Sequence, residues 1–154
     1  MRILVLSDSH GARRNVELAL EQQPTAEVVI HLGDGADDLE YARYEYPEKA
    51  FYQVCGNCDR CCEFPVEDSI TLEGHRILFT HGHAFRVKST LEDLHAHAKR
   101  TEAEIVLFGH THRPVTGYED GLYWMNPGSV REGNYGFIDI TDKGIVTNLV
   151  KLRY

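Results

Sequence analysis

The first ten residues read MRILVLSDSH (residues 1–10), so the polar stretch Ser7–His10 directly follows the apolar run Ile3–Leu6. A short continuous apolar run is typical of a β-strand that is covered on both faces. The same arrangement, an apolar run ending in a polar loop with Gly or Ser, occurs four more times. These four runs are Val28–Leu32, Phe51–Val54, Ile77–Phe79 and Ile105–Phe108, and their loops carry Gly33-Asp34, Cys55-Gly56-Asn57, Thr80-His81-Gly82-His83 and Gly109-His110-Thr111-His112.

Helical patterns separate several of these apolar runs. Apolar residues at helical spacing predict helices over residues 12–22 and 36–46. The stretch Ser89–Glu92 has the form of a capping box, which predicts a helix that continues to about Arg100. The first part of the chain therefore has a βαβ-like organisation.

The last third of the chain has a different pattern, in which short strands alternate with Gly-containing turns. This pattern is typical of antiparallel hairpins, and we expect these strands to form a second sheet packed on the first. The expected strands are Val115–Tyr118, Tyr123–Met125, Phe137–Ile140 and Ile145–Val150.

Length and composition indicate one globular α/β domain over residues 1–154. The formal net charge is −8, which disfavours long nucleic acid and anionic membranes as partners. No apolar segment is long enough for a signal peptide or a membrane helix, so we expect a soluble, cytoplasmic protein. The four cysteines, all between Cys55 and Cys62, are expected to be reduced thiols.

The five polar loops carry residues that bind metal ions. Ligand sites in α/β sheets form beyond the carboxyl ends of the strands, so loops distant in sequence can meet at one point. In extended backbone, residues i and i+2 point to the same side. Asp8 with His10, and His110 with His112, have this spacing, which predicts that each pair reaches one centre.

Each of these residues also has an ordinary structural interpretation. Taken alone, Asp8 could cap a helix, His10 could be a surface histidine, and Asp34 or Asn57 could be a turn residue. His31 has no supporting context. The occurrence of five such loops at strand ends favours a shared metal site over these separate explanations.

The cysteines offer a competing metal site. Cys55, Cys58, Cys61 and Cys62 have a spacing that can bind zinc or an iron–sulfur cluster. A second Cys-x-x-Cys pair further along the chain would complete a zinc ribbon, and the sequence has none. A buried Cys55 that packs as a small apolar residue is the simpler interpretation.

The ordered set of motifs resembles that of the calcineurin-like metallophosphoesterases. The stretch Asn126-Pro127-Gly128-Ser129 is similar to the element that follows in the small bacterial and archaeal branch, the YfcE-like phosphodiesterases. The resemblance covers nearly the whole chain and implies an α/β fold, a four-layer α/β/β/α sandwich of two packed mixed sheets. The motifs that carry it are Asp8-Ser9-His10, Gly33-Asp34, Gly56-Asn57-Cys58-Asp59, Thr80-His81-Gly82-His83 and Gly109-His110-Thr111-His112.

The resemblance also implies a site for two divalent metal ions, with Asp34 bridging them. Mn²⁺ is the first candidate, and Fe²⁺, Ni²⁺, Co²⁺ or Zn²⁺ would suit the same nitrogen and oxygen ligands. The first ion is expected to bind Asp8, His10, Asp34 and His112. The second is expected to bind Asp34, Asn57, His81 and His110.

The activity implied by the resemblance is that of a phosphoesterase, more specifically a phosphodiesterase that hydrolyses small phosphodiesters through a metal-bridging hydroxide. Asp34, Asn57 and His81 are then catalytic candidates, joined by Cys58 and His83. Cys58 stands where many relatives have a histidine, so a water molecule or the Cys58 thiol would protonate the leaving group. His83 is expected to contact substrate and not a metal ion.

Other interpretations of function remain open at this point. A retromer subunit resembles the same fold, so the chain could be a catalytically silent scaffold, and a metal- or nucleotide-sensing module is a third alternative. Arg13, Arg60, Arg86 and Arg113 follow the motif loops and could steer phosphate, Arg60 and Arg113 being the better placed. The expected partner is a small phosphate ester, and the hairpin-rich carboxyl third could support a homodimer or homotetramer.

Overall fold

The computed structural model describes all residues from Met1 to Tyr154 and contains two five-stranded mixed sheets. The first sheet has the order β10-β9-β1-β2-β3. Its parallel part is β1–β2–β3, and β9 runs antiparallel to β1 on the other side. The bounds are β1 Arg2–Leu6, β2 Val28–His31, β3 Ala50–Gln53, β9 Asn134–Thr141 and β10 Gly144–Lys151.

The second sheet is built from the middle of the chain and has the order β4-β5-β6-β8-β7. Strands β5, β6 and β8 are parallel, and β4 and β7 are antiparallel edge strands. The bounds are β4 Glu67–Leu72, β5 His75–Thr80, β6 Ile105–Leu107, β7 Val115–Glu119 and β8 Leu122–Asn126.

Three helices cover the outer faces of the sheets: α1 (Arg13–Gln22), α2 (Glu40–Glu45) and α3 (Glu92–Arg100). A 3₁₀ turn, Ala36–Leu39, leads directly into α2, so the predicted helix over 36–46 is present in two parts. Helix α3 begins at Glu92, whose amide donates to Thr90 Oγ1 at 3.2 Å and not to the Ser89 side chain; the amide of Ser89 donates to the carbonyl of Arg86. The predicted capping box is therefore wrong, whereas the predicted end of this helix is confirmed.

Three apolar clusters define four layers. The central cluster lies between the sheets and joins side chains such as Ile3 and Ile30 of the first sheet to Phe79 and Leu107 of the second. A second cluster packs α1 and the Ala36–Glu45 segment on the outer face of the first sheet, and a third packs α3 on the second sheet. The order helix, sheet, sheet, helix confirms the expected four-layer α/β/β/α sandwich.

The expectation that the last strands form a sheet of their own is wrong. Strands β7 and β8 join the second sheet beside β6, whereas β9 and β10 join the first sheet beside β1. Because β1 is buried along most of its length, it needs hydrogen-bonding partners on both edges, and β9 supplies the second edge. Alternation of apolar residues identifies a strand but does not identify its neighbour.

Among the helices of the structure, none combines the length and the apolar character that crossing a membrane would require.

Candidate metal centre

Five loops meet at one edge of the sandwich, where β1, β2 and β3 of the first sheet and β5 and β6 of the second end. Backbone hydrogen bonds join neighbouring loops directly. The amide of Asp8 donates to the carbonyl of Gly33 at 3.0 Å, and the amide of His10 donates to the carbonyl of Asp34 at 2.9 Å. On the second sheet, the amide of Gly109 donates to the carbonyl of His81 at 3.0 Å.

Five of the candidate ligands approach each other closely around the two carboxylates. The imidazole Nε2 of His112 lies 3.1 Å from Asp8 Oδ1, and Nε2 of His10 lies 3.7 Å from the same oxygen. Asp34 Oδ2 lies 3.7 Å from His10 Nε2 and 3.3 Å from His81 Nε2. The carboxylates of Asp8 and Asp34 are therefore shared by imidazoles from both sheets.

His110 completes a group of six. Its Nδ1 lies 3.2 Å from Nε2 of His81, and its backbone amide donates to Asp8 Oδ2 at 3.1 Å. Two ring nitrogens that face each other at this distance share either one proton or one cation. Burial is the largest cause that lowers the pKa of His110, followed by the charge of His81, so His110 favours the neutral form that binds metals.

The backbone of these loops differs from the expected extended form. Asp8, His10, Asp34, His110 and His112 all have positive φ angles, between 42° and 69°. The spacing i, i+2 therefore does not work through an extended chain, because each residue of a pair lies in the left-handed region, which bends the loop around the centre. Asp8 also does not cap the following helix, since α1 has no side-chain cap.

His81 is held in the tautomer that suits metal binding. It is buried, and its Nδ1 lies 2.8 Å from the carbonyl of Leu32, so Nδ1 carries the proton and Nε2 faces the two carboxylates. Burial alone would lower the pKa of His81 and raise that of Asp34. The contact with Asp34 and the charge of Asp8 oppose burial at His81, and the contact with His81 and the amide of Cys58 oppose it at Asp34. Together they outweigh burial, so the pKa of His81 is raised and that of Asp34 is well below its usual range.

Unpartnered polar atoms test whether these residues fit a metal ion. Asp8 Oδ1 and His10 Nε2 are buried and face the centre, yet neither makes a hydrogen bond of good geometry to the imidazoles and carboxylates around it. Three triads, Asp8–His10–His112, Asp8–Asp34–His81 and His10–Asp34–Cys58, have their ligand atoms within 4.8 Å of one another. Buried polar atoms normally have partners, so this arrangement fits divalent cations with oxygen and nitrogen ligands.

Asn57, Cys58 and His83 lie at the border of the group. The Asn57 side chain is exposed and lies 3.5 Å from Cys58 Sγ, and it makes no hydrogen bond to the six central residues. Burial, followed by hydrogen bonding to Asp34, raises the pKa of the Cys58 thiol, which therefore stays protonated. The His83 ring lies 5.5 Å from the His81 ring and 6.1 Å from the His110 ring, and its buried Nδ1 has no partner.

The cysteines do not form a metal cluster of their own. Cys55 and Cys62 form a disulfide, so neither offers a thiolate, and Cys58 and Cys61 are free and exposed. The expectation of four reduced thiols is therefore wrong, because the loop that follows β3 turns back and places Cys62 beside Cys55. Sequence spacing could not reveal this turn.

Sequence analysis assigned no supporting role to several residues that hold the loops in place. The fully buried His31 accepts a hydrogen bond from Gly33 N–H at Nδ1, and its Nε2 lies 3.0 Å from Ser9 Oγ, which donates to Asp38 Oδ2. Asn126 donates to the carbonyl of Gly109, and Ser129 donates to the carbonyl of Asp8. The Asn126–Ser129 motif was visible in the sequence, whereas the role of His31 had no sequence signal.

An open cleft of about 640 Å³ lies beside the centre and reaches from His10 and Asp34 to Phe64. Arg13 and Arg60 line it, and Arg13 Nε lies 3.5 Å from Asp38 Oδ1. Arg86 instead pairs with Asp93 at 2.7 Å, and Arg113 does not line the cleft. Of these four arginines, Arg13 and Arg60 are therefore the two that line the cleft.

Comparison with known proteins agrees with this geometry. Residues 1–142 match the family model for the calcineurin-like phosphoesterase superfamily domain. Phosphodiesterase YfcE of Escherichia coli (strain K12) is 30% identical over 168 residues, covering 90% of this chain and 88% of YfcE. A crystal structure from Streptococcus pneumoniae TIGR4, described as a predicted phosphoesterase, superposes with a TM-score of 0.81 at 28% identity, covering 97% of this chain and 88% of that one.

The chain is also similar to a protein named for another role. Vacuolar protein sorting-associated protein 29 of Schizosaccharomyces pombe (strain 972) is 28% identical over 134 residues, covering 84% of this chain and 72% of that protein.

The chain therefore belongs to the calcineurin-like phosphoesterase superfamily, and its similarity to YfcE places it in the small YfcE-like branch.

Proposed function

We propose that the protein is a phosphodiesterase that uses two divalent metal ions, Mn²⁺ being the first candidate, to hydrolyse small phosphodiesters. The observation that carries this proposal is the group of two carboxylates and four imidazoles at one edge of the sandwich, with unpartnered atoms on Asp8 and His10. Asp8, His10, Asp34 and His112 would hold the first ion. Asp34, Asn57, His81 and His110 would hold the second.

Bound divalent ions supply Lewis acidity, which polarises a phosphoryl oxygen and lowers the pKa of water. The protein positions the ligands for this chemistry. The hydrogen bond between Leu32 and His81 Nδ1 directs Nε2 toward Asp34, and the amide of Cys58 holds Asp34 Oδ1 at 2.8 Å. The other carboxylate oxygen, Oδ2, is thereby left to face the centre.

Two residues at the border act on the substrate in this proposal. The protonated thiol of Cys58 can donate a hydrogen bond to a phosphate in the cleft, and a solvent water can protonate the leaving group. His83 favours the neutral form, because burial and then the charge of His81 lower its pKa. Its buried, unpartnered Nδ1 is available for contact with the phosphate or the leaving group.

The open shape of the cleft supports a small substrate, and its two arginines lie among the carboxylates of Asp37, Asp38 and Glu63. The centre opens into the cleft that Arg13 and Arg60 line, and Arg60 forms no ion pair in the structure. We propose that Arg60 contacts the phosphate or its substituent. Replacing it with alanine should raise KM for a phosphodiester several-fold and change kcat little, because it lies outside the ligand group.

The decisive experiment measures hydrolysis of bis-p-nitrophenyl phosphate by chelator-treated protein with and without added Mn²⁺. Metal-free protein should be inactive, and Mn²⁺ should restore turnover. Asp34→Asn should lower the restored activity at least about 100-fold and remove bound metal, because a bridging ligand is lost. Asp142→Asn, at an exposed turn, is the matched control and should behave as the parent.

A catalytically silent scaffold is the competing proposal, which the similarity to vacuolar protein sorting-associated protein 29 makes relevant. A scaffold has no need of metal ligands, yet all seven expected positions are occupied by residues of the expected type. A protein that binds two ions and hydrolyses no phosphate ester would support the scaffold. Turnover that depends on both Mn²⁺ and Asp34 would support the enzyme.

A further inference from the structure

We propose that Asp59 is a positioning residue that holds the bridging ligand Asp34 and the neighbouring Asn57 loop in register for the second metal ion. This inference rests on the proposed function, because it concerns the same pair of ions. The Asp59 side chain touches none of the candidate ligand atoms and acts through the backbone of two loops.

The carboxylate of Asp59 accepts four backbone hydrogen bonds. Oδ2 accepts from the amides of Asp34 and Gly56, both at 2.8 Å. Oδ1 accepts from the amides of Gly35 and Ala36, at 2.8 Å and 3.0 Å. One side chain therefore gathers three consecutive amides of the loop after β2 and one amide of the loop after β3.

The backbone that Asp59 holds is unfavourable without support. Asp34 has φ of 57° and Gly35 has φ of 152°, and a residue other than glycine is seldom found at a positive φ. Such conformations persist only where the surroundings enforce them. The four hydrogen bonds of Asp59 supply that enforcement next to the bridging carboxylate.

The two loops also touch, so a small change in one displaces the other. Gly56 lies so close to Asp34 that a β-carbon on Gly56 would lie 2.7 Å from Asp34 Cγ. The amide of Cys58, between Asn57 and Asp59, donates to Asp34 Oδ1 at 2.8 Å. Asp59 therefore ties the main chain of Asp34 to the same loop that holds its side chain.

The arrangement requires a carboxylate and not an amide. Both Asp59 oxygens act as acceptors toward pairs of N–H groups, whereas asparagine has one oxygen and one NH₂ group. In Asp59→Asn, one pair of amides would face another donor and lose its partners. The side-chain volume would stay nearly the same, so any effect would come from hydrogen bonding and charge.

The test compares Mn²⁺ binding by metal-free parent, Asp59→Asn and the exposed control Asp142→Asn, using titration calorimetry. The parent and Asp142→Asn should bind two ions. Asp59→Asn should bind Mn²⁺ about 10- to 100-fold more weakly at one site, the effect typical of losing a group that orients a ligand. Electron paramagnetic resonance should show a coupled Mn²⁺ pair in the parent and isolated Mn²⁺ in Asp59→Asn.

Several outcomes distinguish this inference from its alternatives. The positioning role of Asp59 would be wrong if the Asp59→Asn variant bound two coupled ions as tightly as the parent, even if it melted at a lower temperature. Parent protein that binds no ion pair would overturn the proposed function itself. Weaker Mn²⁺ binding with unchanged far-ultraviolet circular dichroism would support a positioning role.

A measurement on the parent protein keeps the inference testable if Asp59→Asn does not fold. Hydrogen exchange in metal-free parent should show protection at the amides of Asp34, Gly35, Ala36 and Gly56. Rapid exchange of these amides, at the rate of exposed loops, would contradict the inference.

Discussion

At the scale of single residues, the candidate ligands combine chemical suitability with backbone strain. Five of the seven have positive φ angles, and each such residue destabilises the fold by about 1–3 kcal/mol. Loops of this kind persist where other contacts determine them, here the Asp59 carboxylate, the Asn126 amide and the Ser129 hydroxyl. These left-handed conformations bend the short loops, so that side chains two positions apart reach one centre.

The buried His31 predicts a pH dependence of stability. Its Nδ1 accepts the Gly33 amide, and burial lowers its pKa from 6.5 to about 4. Between these values the unfolded chain binds more protons than the folded protein, so stability falls as the pH falls through this window, by roughly 3 kcal/mol in all. Urea unfolding of metal-free protein at a series of pH values measures this loss.

His31→Gln is the matched variant, because its amide can also accept from Gly33 and donate to Ser9. Its unfolding free energy should decrease less between neutral pH and about pH 5 than that of the parent. Equal decreases in the two proteins would show that His31 does not carry the dependence.

Gly109 is predicted to be required for metal binding because of its surroundings. A β-carbon there would overlap Ser7 Oγ and lie 2.8 Å from Asp8 Oδ2. Gly109→Ala should therefore displace Asp8 and weaken Mn²⁺ binding at least about 10-fold. Titration calorimetry on the metal-free protein measures the change.

Gly121→Ala provides the contrast for that experiment. Gly121 has φ of 84° and open space around its α-carbon, so alanine should lower stability by about 1 kcal/mol through backbone strain. Its Mn²⁺ affinity should remain that of the parent. Similar Mn²⁺ affinities for Gly109→Ala and Gly121→Ala would refute the steric argument.

At the scale of elements, the loop after β3 is the least expected part of the molecule. It carries Asn57, Cys58 and Asp59 between Cys55 and Cys62, which form a disulfide. The disulfide closes the loop that supplies both the candidate ligand Asn57 and the Asp59 carboxylate, which accepts four backbone hydrogen bonds. We therefore expect the disulfide to stabilise the folded protein and to keep this loop ordered.

Cys62→Ser should destabilise the folded protein by about 2 kcal/mol, since it frees a short closed loop in the unfolded chain. A reducing agent such as dithiothreitol should have a similar effect on the parent. Thermal unfolding with and without the reductant measures both changes. Cys61→Ser removes an exposed free thiol and should leave the melting temperature nearly unchanged; equal effects of the two substitutions would argue against the disulfide.

At the scale of the whole molecule, the candidate centre joins the two sheets. Asp8, His10 and Asp34 come from the first sheet, and His81, His110 and His112 come from the second. The sheets also share the central apolar cluster, so their relative position is determined before any ion binds. An ion at the centre would then link the same two layers at their edge.

Metal binding should therefore stabilise the whole sandwich. Mn²⁺ at about 100 times its dissociation constant adds about 3 kcal/mol to the unfolding free energy if it binds only folded protein. The melting temperature should rise by several degrees in the parent and by much less in Asp34→Asn. Differential scanning calorimetry measures both, and an unchanged parent melting temperature at saturating Mn²⁺ would contradict a centre that joins the sheets.

Local pattern was sufficient to predict most strands and the candidate ligands. Apolar runs followed by Asp, Asn or His identify the ends of buried strands, because both signals lie within a few neighbouring residues. The convergence of the loops also follows from a general property of parallel strands, whose carboxyl ends share an edge. For this reason, the sequence by itself groups residues such as Asp8 and His112.

Tertiary structure alone decided the remaining features. Strand pairing depends on contacts between distant segments, so only the structure shows that β9 lies beside β1 and β8 beside β6. The same holds for the Cys55–Cys62 disulfide, the buried hydrogen bonds of His31 and the four backbone hydrogen bonds of Asp59. In each of these features the interacting residues are close in space, but the pattern of neighbouring residues in the sequence does not identify them. A side chain's hydrogen bonds depend on which groups the fold places beside it.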